Sequence, residues 1–482
     1  MNHRETNRPE GWRPSPRSGF GLVLPEAKSA TDSVAFAAGL AASLAAMSIQ
    51  EFRGPVPLLA FSSFNLFAVD LAVAAILLAI SLVASARKLS FTTLEITLFI
   101  LVSSYIFSIT AGSIAGTPQY LSSLRGATPL PVMLLLAIFT NNTQRVFRRG
   151  EQVLFYFSIV LSLLVAVRLL FGGALFMQTT NIHEYDINDG GRPIAALGAF
   201  VLAIAATLST YRALLGGKWA LLWTAIFSTA LLASGQGTAG ICGAVSVATV
   251  IALTPGPRRR TRLTLTIVGS LIVGGVLALY SQNVFNDFLP NNVTHNLSQR
   301  QVNLDMRKLI WGGYWRSYLE FSDWEKLLGR PLGQDRHVEL QSPQWGHVRW
   351  AFSAHSMYVG SLAGIGLLGL VAYLGILATL LRRAAVQVWR CQSTGGIPAI
   401  VALACVLAVI VFGYSYEVRE DGFALAFAVI ALRTQPVAAH IGLRTWRSPM
   451  RAGSREPVAA PIAAPMRQWR QHEPKSYRKV VP

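Results

Sequence analysis

The chain has 482 residues, of which 52% are hydrophobic and only 13% charged, and its formal net charge at pH 7 is +19. Apolar runs of about 17–25 residues are too long for the core of a soluble protein and match the span that a bilayer requires. The basic residues gather in loops on one predicted membrane face, which explains the positive charge without nucleic acid as a partner. We therefore predict an all-α polytopic membrane protein with about twelve transmembrane helices and one large helical periplasmic loop.

The first segment, residues 1–31, is polar and rich in proline and arginine, and we predict that it is a disordered cytoplasmic tail. Transmembrane helices 1–9 are predicted within residues 32–281, and helices 10–12 within residues 355–435. Residues 282–354 form the large loop between them. Residues 436–482 are a basic cytoplasmic tail that we expect to contact anionic lipids. The predicted spans fall near residues 32–50, 64–84, 92–112, 128–140, 152–172, 193–211, 219–234, 238–254, 263–281, 355–381, 397–416 and 420–435.

The orientation of the chain follows from basic clusters that lie on alternate sides of successive spans. Arg87–Lys88, Arg258–Arg260 and Arg382–Arg383 all fall on the face that also holds the two termini. The positive-inside rule therefore predicts a multi-pass protein with both termini in the cytoplasm. Because the sequence carries no eukaryotic targeting signal, we favour a bacterial inner membrane, and the large loop then lies in the periplasm.

A histidine stands where the large loop meets the tenth predicted span. His355-Ser356 is followed by nine residues and then by Gly366-Leu367-Leu368-Gly369. In a continuous helix, positions 355, 359, 362, 366 and 369 share one face. That face would place a titratable group at the water boundary, above a glycine notch that a second helix or a lipid chain can approach. A glycine pair for helix packing with a capping histidine explains the same spacing.

The large loop contains an amphipathic pattern. Arg300, Leu304, Arg307, Trp311 and Tyr314 recur at a spacing of three to four residues, which predicts a helix. One interpretation is an interfacial helix with snorkelling arginines. The other is a binding surface on which arginines hold a phosphate group and aromatic faces pack on sugar rings. The same two interpretations apply to Arg192, just before the sixth span.

Several other polar residues carry weaker signals. Asp70 lies inside the second predicted span, where a carboxylate is costly, and is either part of a proton path or a structural acid. The charged turn at residues 417–421 is either solvated or faces the site. Cys242, Cys391 and Cys405 form neither a metal nor a disulfide pattern, and we predict no metal and no cofactor.

The histidine motif resembles that of the bacterial O-antigen ligase and polysaccharide polymerase superfamily. The family pattern is His, then Asn, Ser or Gln, nine residues, Gly, two residues, and Gly, Thr or Tyr. The large loop directly before the motif, the Arg307-x-x-x-Trp311 spacing and the turn Gly329–Gly333 are also similar. The resemblance is clearest from about residue 190 to residue 381.

The resemblance implies a membrane glycosyltransferase whose donor is a glycan carried on undecaprenyl diphosphate. The acceptor is a glycan or a lipid-linked glycan, and membrane lipids and other polysaccharide-assembly proteins are the further partners. On this basis His355 is the candidate base, and Arg192, Arg300 and Arg307 hold the diphosphate without a metal. Trp311 would contact the substrate, and the notch at Gly366 and Gly369 would admit polyprenyl chains.

One position departs from the family pattern. Members often have a Ser-Arg pair in the short external turn near the eighth span, where this chain has Ser234-Gly235-Gln236-Gly237-Thr238. If Gln236 stands at the arginine position, one cation of the phosphate site is replaced by an amide. The sequence leaves polymerase and ligase open. A transporter or flippase of lipid-linked glycan is the alternative class, and it predicts inverted repeats that we do not find.

Overall fold

The computed structural model describes most of the predicted membrane helices and part of the large loop. The described residues are 24–53, 57–60, 65–84, 92–117, 120–140, 143–171, 193–217, 219–254, 263–264, 267, 269, 306–332, 334, 338–342, 346–350, 354–390, 397–416 and 422–434. The predicted tail 436–482, the charged turn 417–421 and most of the ninth predicted span lie outside them.

Helices make up nearly all of the described structure. In chain order they are α1 (Leu24–Arg53), α2 (Ala68–Ala84), α3 (Thr93–Ile114), α4 (Tyr120–Ala127), α5 (Pro129–Phe139), α6 (Thr143–Phe171), α7 (Ala196–Leu214), α8 (Ala220–Ala233), α9 (Gly237–Leu253), α10 (306–319), α11 (Asp323–Leu328), α12 (Met357–Arg390), α13 (Ile397–Ser415) and α14 (Gly422–Arg433). Strand β1 (Leu59–Ala60) pairs with β2 (Asn65–Leu66), and β3 (Val338–Ser342) pairs with β4 (Gly346–Trp350), both antiparallel. Helix α1 begins at Leu24, so the last residues of the predicted N-terminal tail are helical.

Six helices of the described chain are long and apolar enough to cross a membrane: α1, α3, α6, α7, α12 and α13. Five shorter apolar helices, α2, α5, α8, α9 and α14, lie between them in the sequence. The prediction of an all-α polytopic membrane protein is confirmed in these terms. The predicted number of about twelve spans is not reached, because the shorter helices have 11 to 17 residues and a straight crossing takes about 20.

The centre of the assembly is formed by helices that are buried on every side. Residues 198–211 of α7 are all buried, and so are residues 422–432 of α14. Phe200 of α7 stacks on Phe412 of α13, with ring centroids 4.3 Å apart. The outer helices α3 and α6 instead expose large apolar side chains such as Phe99 and Leu170, 73% and 77% exposed. In a bilayer those side chains contact lipid, so the assembly is apolar both inside and outside.

Helices α7, α8 and α9 approach closely because small residues lie between them. A Cβ added at Gly243 of α9 would be 2.6 Å from Leu231 of α8 and 3.4 Å from Ala203 of α7. The hydroxyl oxygens of Thr207 and Ser246 lie 2.7 Å apart across the α7–α9 contact. Small residues and hydroxyl pairs are the usual means by which helices associate in lipid.

Asp70 lies in the first turn of α2 and has a charged partner. Nε of Arg125 in α4 donates to its two carboxylate oxygens at 2.8 and 3.0 Å. The backbone N–H of Phe67 donates to Oδ2 at 2.9 Å, and the Arg125 guanidinium lies 4.3 Å from the centroid of the Phe67 ring. Asp70 therefore caps a helix and binds an arginine, which is the structural interpretation of this residue.

The described part of the large loop is not wholly helical, in contrast to the prediction. Helix α10 packs against the β3–β4 hairpin, where a Cβ added at Gly313 would be 2.7 Å from the side chain of Leu340. Ile310 and Tyr314 of α10 are buried together with Val338 in a small apolar core that also contacts the start of α12. The hairpin was missed because the alternation of Val338, Glu339 and Leu340 is short.

Helix α12 is kinked at Gly366, which has a φ of 70° and a ψ of −174°. The backbone of residues 327–329 lies in this kink, because a Cβ added at Gly366 would collide with Gly329 N and Leu327 O. On its other side the same turn contacts α3, where Leu332 N–H donates to Ser108 O at 2.9 Å. The continuous helical face expected from His355 to Gly369 is therefore wrong at Gly366.

Candidate functional site

His355 lies two residues before the start of α12, at the junction of the large loop and the membrane helices. Its φ is 48°, and it is the only residue other than glycine with a positive φ in the part of the chain that the structure describes. This left-handed conformation costs of order 1 kcal/mol or more for a side-chain-bearing residue and persists only where the surroundings enforce it. Histidine is one of the few residue types enriched there. The imidazole is neither fully buried nor fully exposed.

Both chain neighbours of His355 form hydrogen bonds with other helices. The indole N–H of Trp311 in α10 donates to the carbonyl oxygen of Ala354 at 2.9 Å. On the other side, the hydroxyl of Ser356 lies 3.5 Å from the carbonyl oxygen of Gly413, near the end of α13. His355 is thus fixed between the helix of the large loop and the end of a buried membrane helix.

Helix α10 places two of the predicted residues over the end of α13. Trp311 makes an edge contact with Tyr414, with ring centroids 5.1 Å apart. One turn earlier, the Arg307 guanidinium lies 5.5 Å from the centroid of the Tyr416 ring. A cation over a ring face is attracted by the ring quadrupole, and its N–H groups stay available around the ring edge. We call His355, Arg307, Trp311, Tyr414, Tyr416 and Gln236 the His355 cluster.

Gln236 closes the cluster from the side of α9. It occupies the N-cap position of that helix and is only 6% exposed. Its amide oxygen accepts from the Tyr416 hydroxyl at 3.2 Å, and its amide nitrogen donates to the carbonyl oxygen of Ile194 at 2.9 Å. Because both ends of the amide bind protein groups, Gln236 positions the Tyr416 ring on which Arg307 lies.

A second arginine binds the neighbouring carbonyl group. Arg168, in the last turn of α6, is fully buried, and its Nη1 donates to the carbonyl oxygen of Pro193 at 2.6 Å. Pro193 and Ile194 are consecutive, so Arg168 and Gln236 hold the same short segment before α7. A guanidinium cannot be deprotonated in a protein, so Arg168 is a fully buried cation beside this segment.

The cluster combines groups with complementary chemistry. An imidazole next to a polar loop can accept a proton from a hydroxyl group near neutral pH. Guanidinium groups and phenol hydroxyls can stabilise an anion that departs on the same side. Within the described residues, no group of three His, Cys, Asp or Glu side chains is arranged to hold a metal ion.

The structure brings four of the predicted site residues together: His355, Arg307, Trp311 and Gln236. Arg192 and Arg300 lie outside the described residues. At Gly366 the predicted notch is filled by the backbone of residues 327–329, and a Cβ added at Gly369 would be 2.5 Å from the side chain of Ile365 on the same helix. The notch therefore has no room for a polyprenyl chain at Gly366.

Three residues near the site were not predicted: Tyr414, Tyr416 and Arg168. The two tyrosines directly precede the charged turn 417–421, and aromatic residues beside charges at a span end were the available signal. Arg168 interrupts an apolar span close to its end, which is an equally readable feature. Their partners, however, lie far away in the sequence.

No family model matches this chain, and no curated protein matches it either.

Proposed function

We propose that the chain is an inner-membrane glycosyltransferase that polymerises or ligates undecaprenyl-diphosphate-linked glycan on the periplasmic face, in exopolysaccharide or O-antigen biosynthesis. The observation that carries the proposal is the position of His355. Its strained turn is bonded to Trp311, which shares one helix with Arg307. The residue proposed as the base is therefore linked, through Ala354, to the helix that carries the proposed cation.

In this mechanism the His355 imidazole accepts the proton of an acceptor hydroxyl group. The oxygen attacks the anomeric carbon of the donor glycan, and the bond from that carbon to the diphosphate breaks. Arg307, together with Arg192 and Arg300, stabilises the charge on the leaving lipid diphosphate. Trp311 and Tyr414 offer aromatic faces to the sugar rings, and the proton taken up by His355 returns to solvent.

The same proposal includes the membrane topology. The six long apolar helices, the five shorter ones and the segment 263–281 together make twelve crossings, with both termini in the cytoplasm. The alternative class remains a transporter or flippase of lipid-linked glycan; Asp70, the residue considered for a proton path, binds Arg125.

The test replaces His355 and Arg307 separately by alanine and measures glycan transfer by the purified protein in liposomes containing a lipid-linked repeat unit. Removal of the base should lower the rate by about 10²–10⁴-fold, and removal of the cation by roughly 10²-fold or more. Arg316→Ala is the matched control, because Arg316 is exposed on the same helix. Wild-type rates in both site variants, at normal protein levels, would contradict the proposal.

A gene deletion distinguishes polymerisation from ligation, the two reactions that the proposal includes. If the protein is a polymerase, cells without it accumulate single repeat units on the lipid carrier. If it is a ligase, long chains accumulate on the carrier instead, because polymerisation continues and only the final transfer is lost. Complementation with the Arg316→Ala variant should restore the wild-type pattern, and complementation with His355→Ala should not.

A further inference from the structure

A cavity of about 300 Å³ lies between α6, α7 and α8, where α6 begins and α7 ends. This end of the assembly is opposite to the His355 cluster, which lies where α6 ends and α7 begins. One wall is aromatic and consists of Phe155, Trp223 and Phe227, whose rings contact one another edge-on or stacked. Helix α7 contributes the small residues Ala205 and Ser209 to the other wall, which leaves the space between them unfilled.

The cavity is partly open, and apolar side chains border the opening. Trp219, one of its lining residues, is 72% exposed. Tyr156 and Leu222, the chain neighbours of lining residues on α6 and α8, are 66% and 49% exposed. Such a surface faces lipid in a membrane protein, and an empty apolar space beside lipid loses the dispersion contacts that a hydrocarbon chain would supply.

The rim of the cavity carries a net positive charge. Arg212 lines the cavity and donates from Nε and Nη2 to the two carboxylate oxygens of Glu151, which leaves three of its five N–H donors unused by that pair. The Arg212 side chain is 42% exposed, whereas that of Glu151 is 12% exposed. Arg148 is exposed three residues before Glu151, on the same side of α6. In the described part of the chain, two arginines therefore lie near one carboxylate at this end of the cavity.

We propose that this cavity is a binding site for an anionic phospholipid. One acyl chain lies between the aromatic wall and α7, and the phosphate group contacts Arg212 and Arg148. An apolar chain site beside a guanidinium group matches both parts of such a lipid. A zwitterionic lipid offers the same chain, but its ammonium group is repelled by the net positive rim. The site is independent of the chemistry at His355.

The first test fills the cavity and uses a matched variant that does not. Ala205 lines this cavity, whereas its neighbour Ala206 lines a second apolar cavity between α7, α8 and α9, and both are buried. The wild-type protein is purified from nanodiscs of phosphatidylcholine with a minor fraction of phosphatidylglycerol, and retained lipids are counted by native mass spectrometry. We expect one retained phosphatidylglycerol in the wild type and in Ala206→Phe, and none in Ala205→Phe.

The second test addresses the head group. Arg148→Gln should reduce the preference for phosphatidylglycerol about fivefold, because each basic side chain near a lipid phosphate contributes roughly that factor. Arg149→Gln, also exposed and adjacent on α6, is the matched control and should retain the preference. Equal retention of the two lipids by the wild type, no retained lipid, or full retention by Ala205→Phe would each overturn the proposal.

Discussion

At the scale of single residues, the candidate site is built from side chains whose polar groups mostly bind the protein itself. The Trp311 indole N–H, the Gln236 amide and the Tyr416 hydroxyl all have protein partners. These hydrogen bonds fix the positions of the three side chains within the site. The guanidinium of Arg307 differs, because its described contact is with the face of the Tyr416 ring, which an anion does not compete for. Among the described residues, Arg307 is thus positioned by a ring face, a contact that uses none of its hydrogen-bond donors.

Because His355 has a positive φ, variants that differ in their tolerance of this conformation can separate its structural role from its chemical role. Asparagine and glycine adopt a positive φ with little strain, so His355→Asn and His355→Gly should unfold thermally within about 1 kcal/mol of the wild type. His355→Val should lose about 1–3 kcal/mol, because a β-branched residue is strained at a φ of 48°. All three variants should lose glycan transfer. Equal destabilisation by asparagine and valine would show that the imidazole itself supports the fold.

At the scale of elements, the kink of α12 and the turn after α11 depend on each other. Gly366 and Gly329 both have a positive φ, and the backbone of each segment occupies the space where the side chain of the other would be. The turn also binds α3 through Ser108, whose hydroxyl donates to Arg330 O at 2.9 Å. The large loop is therefore docked on two membrane helices at once, which fixes where α10 and its arginine lie.

Replacement of Gly366 tests this docking. In Gly366→Ala, the added methyl group collides with Gly329 N and Leu327 O at a φ that favours glycine. We expect a loss of about 2 kcal/mol or more in the free energy of unfolding and faster proteolysis of the loop. Gly240→Ala is the matched control, since a Cβ there meets nothing within 4 Å and alanine favours helix α9. Equal stability of the two variants would contradict the docking.

The short helix α11 adds a pH dependence outside the membrane. Burial acts to raise the pKa of Glu325, but hydrogen bonds from the backbone and hydroxyl of Ser322 and the charge of Arg330 bring it below its ordinary value of 4.5. Because the folded pKa lies below the unfolded one, the stabilisation is complete above pH 4.5 and is lost as the pH falls through the folded value.

Hydrogen exchange of α11, followed from neutral to acidic pH, should therefore show faster opening below about pH 4.5 in the wild type. Glu325→Gln should remove most of this change, because its amide does not titrate in the range. Asp323→Asn alters the same first turn without touching the capping box of Ser322 and Glu325, and it should retain the change. An identical acid response in Glu325→Gln and the wild type would refute the assignment.

At the scale of the whole molecule, the His355 cluster and the exposed arginines near the start of α6, Arg148 and Arg149, lie at opposite ends of the helical assembly. A glycosyltransferase with a periplasmic site then requires that Arg149 faces the cytoplasm and that α11 faces the periplasm. This is a consequence of the proposed function that does not depend on activity.

Cysteine labelling in intact cells tests the topology. Cys242 and Cys405 are buried, so replacement of Cys391 by serine leaves a suitable background for a membrane-impermeant maleimide. Trp324→Cys, at a position 73% exposed on α11, should be labelled from outside the inner membrane. Arg149→Cys should be labelled only after the cells are opened. Labelling of both positions from the same side would exclude the proposed topology.

Local sequence determined the features whose partners are near in the chain. Apolar length identified the membrane helices, since a bilayer imposes one thickness on every span. The spacing of Arg307 and Trp311 placed them on one side of α10, because that geometry is internal to a helix. The ends of short helices such as α5 and α14 were harder to predict from the sequence, because neither helix has the length of a full membrane crossing.

Only the packed structure decided which distant residues meet. Tyr416 binds Gln236 across 180 residues, and Arg168 binds a carbonyl beside the segment that Gln236 holds. The kink at Gly366 accommodates the backbone of residues 327–329. The predicted helical face assumed a straight α12 and was therefore wrong at this position. Spacing along the chain reports the geometry of one element. Contacts between elements depend on how all of the elements pack together, and no periodicity in a single sequence reports that packing.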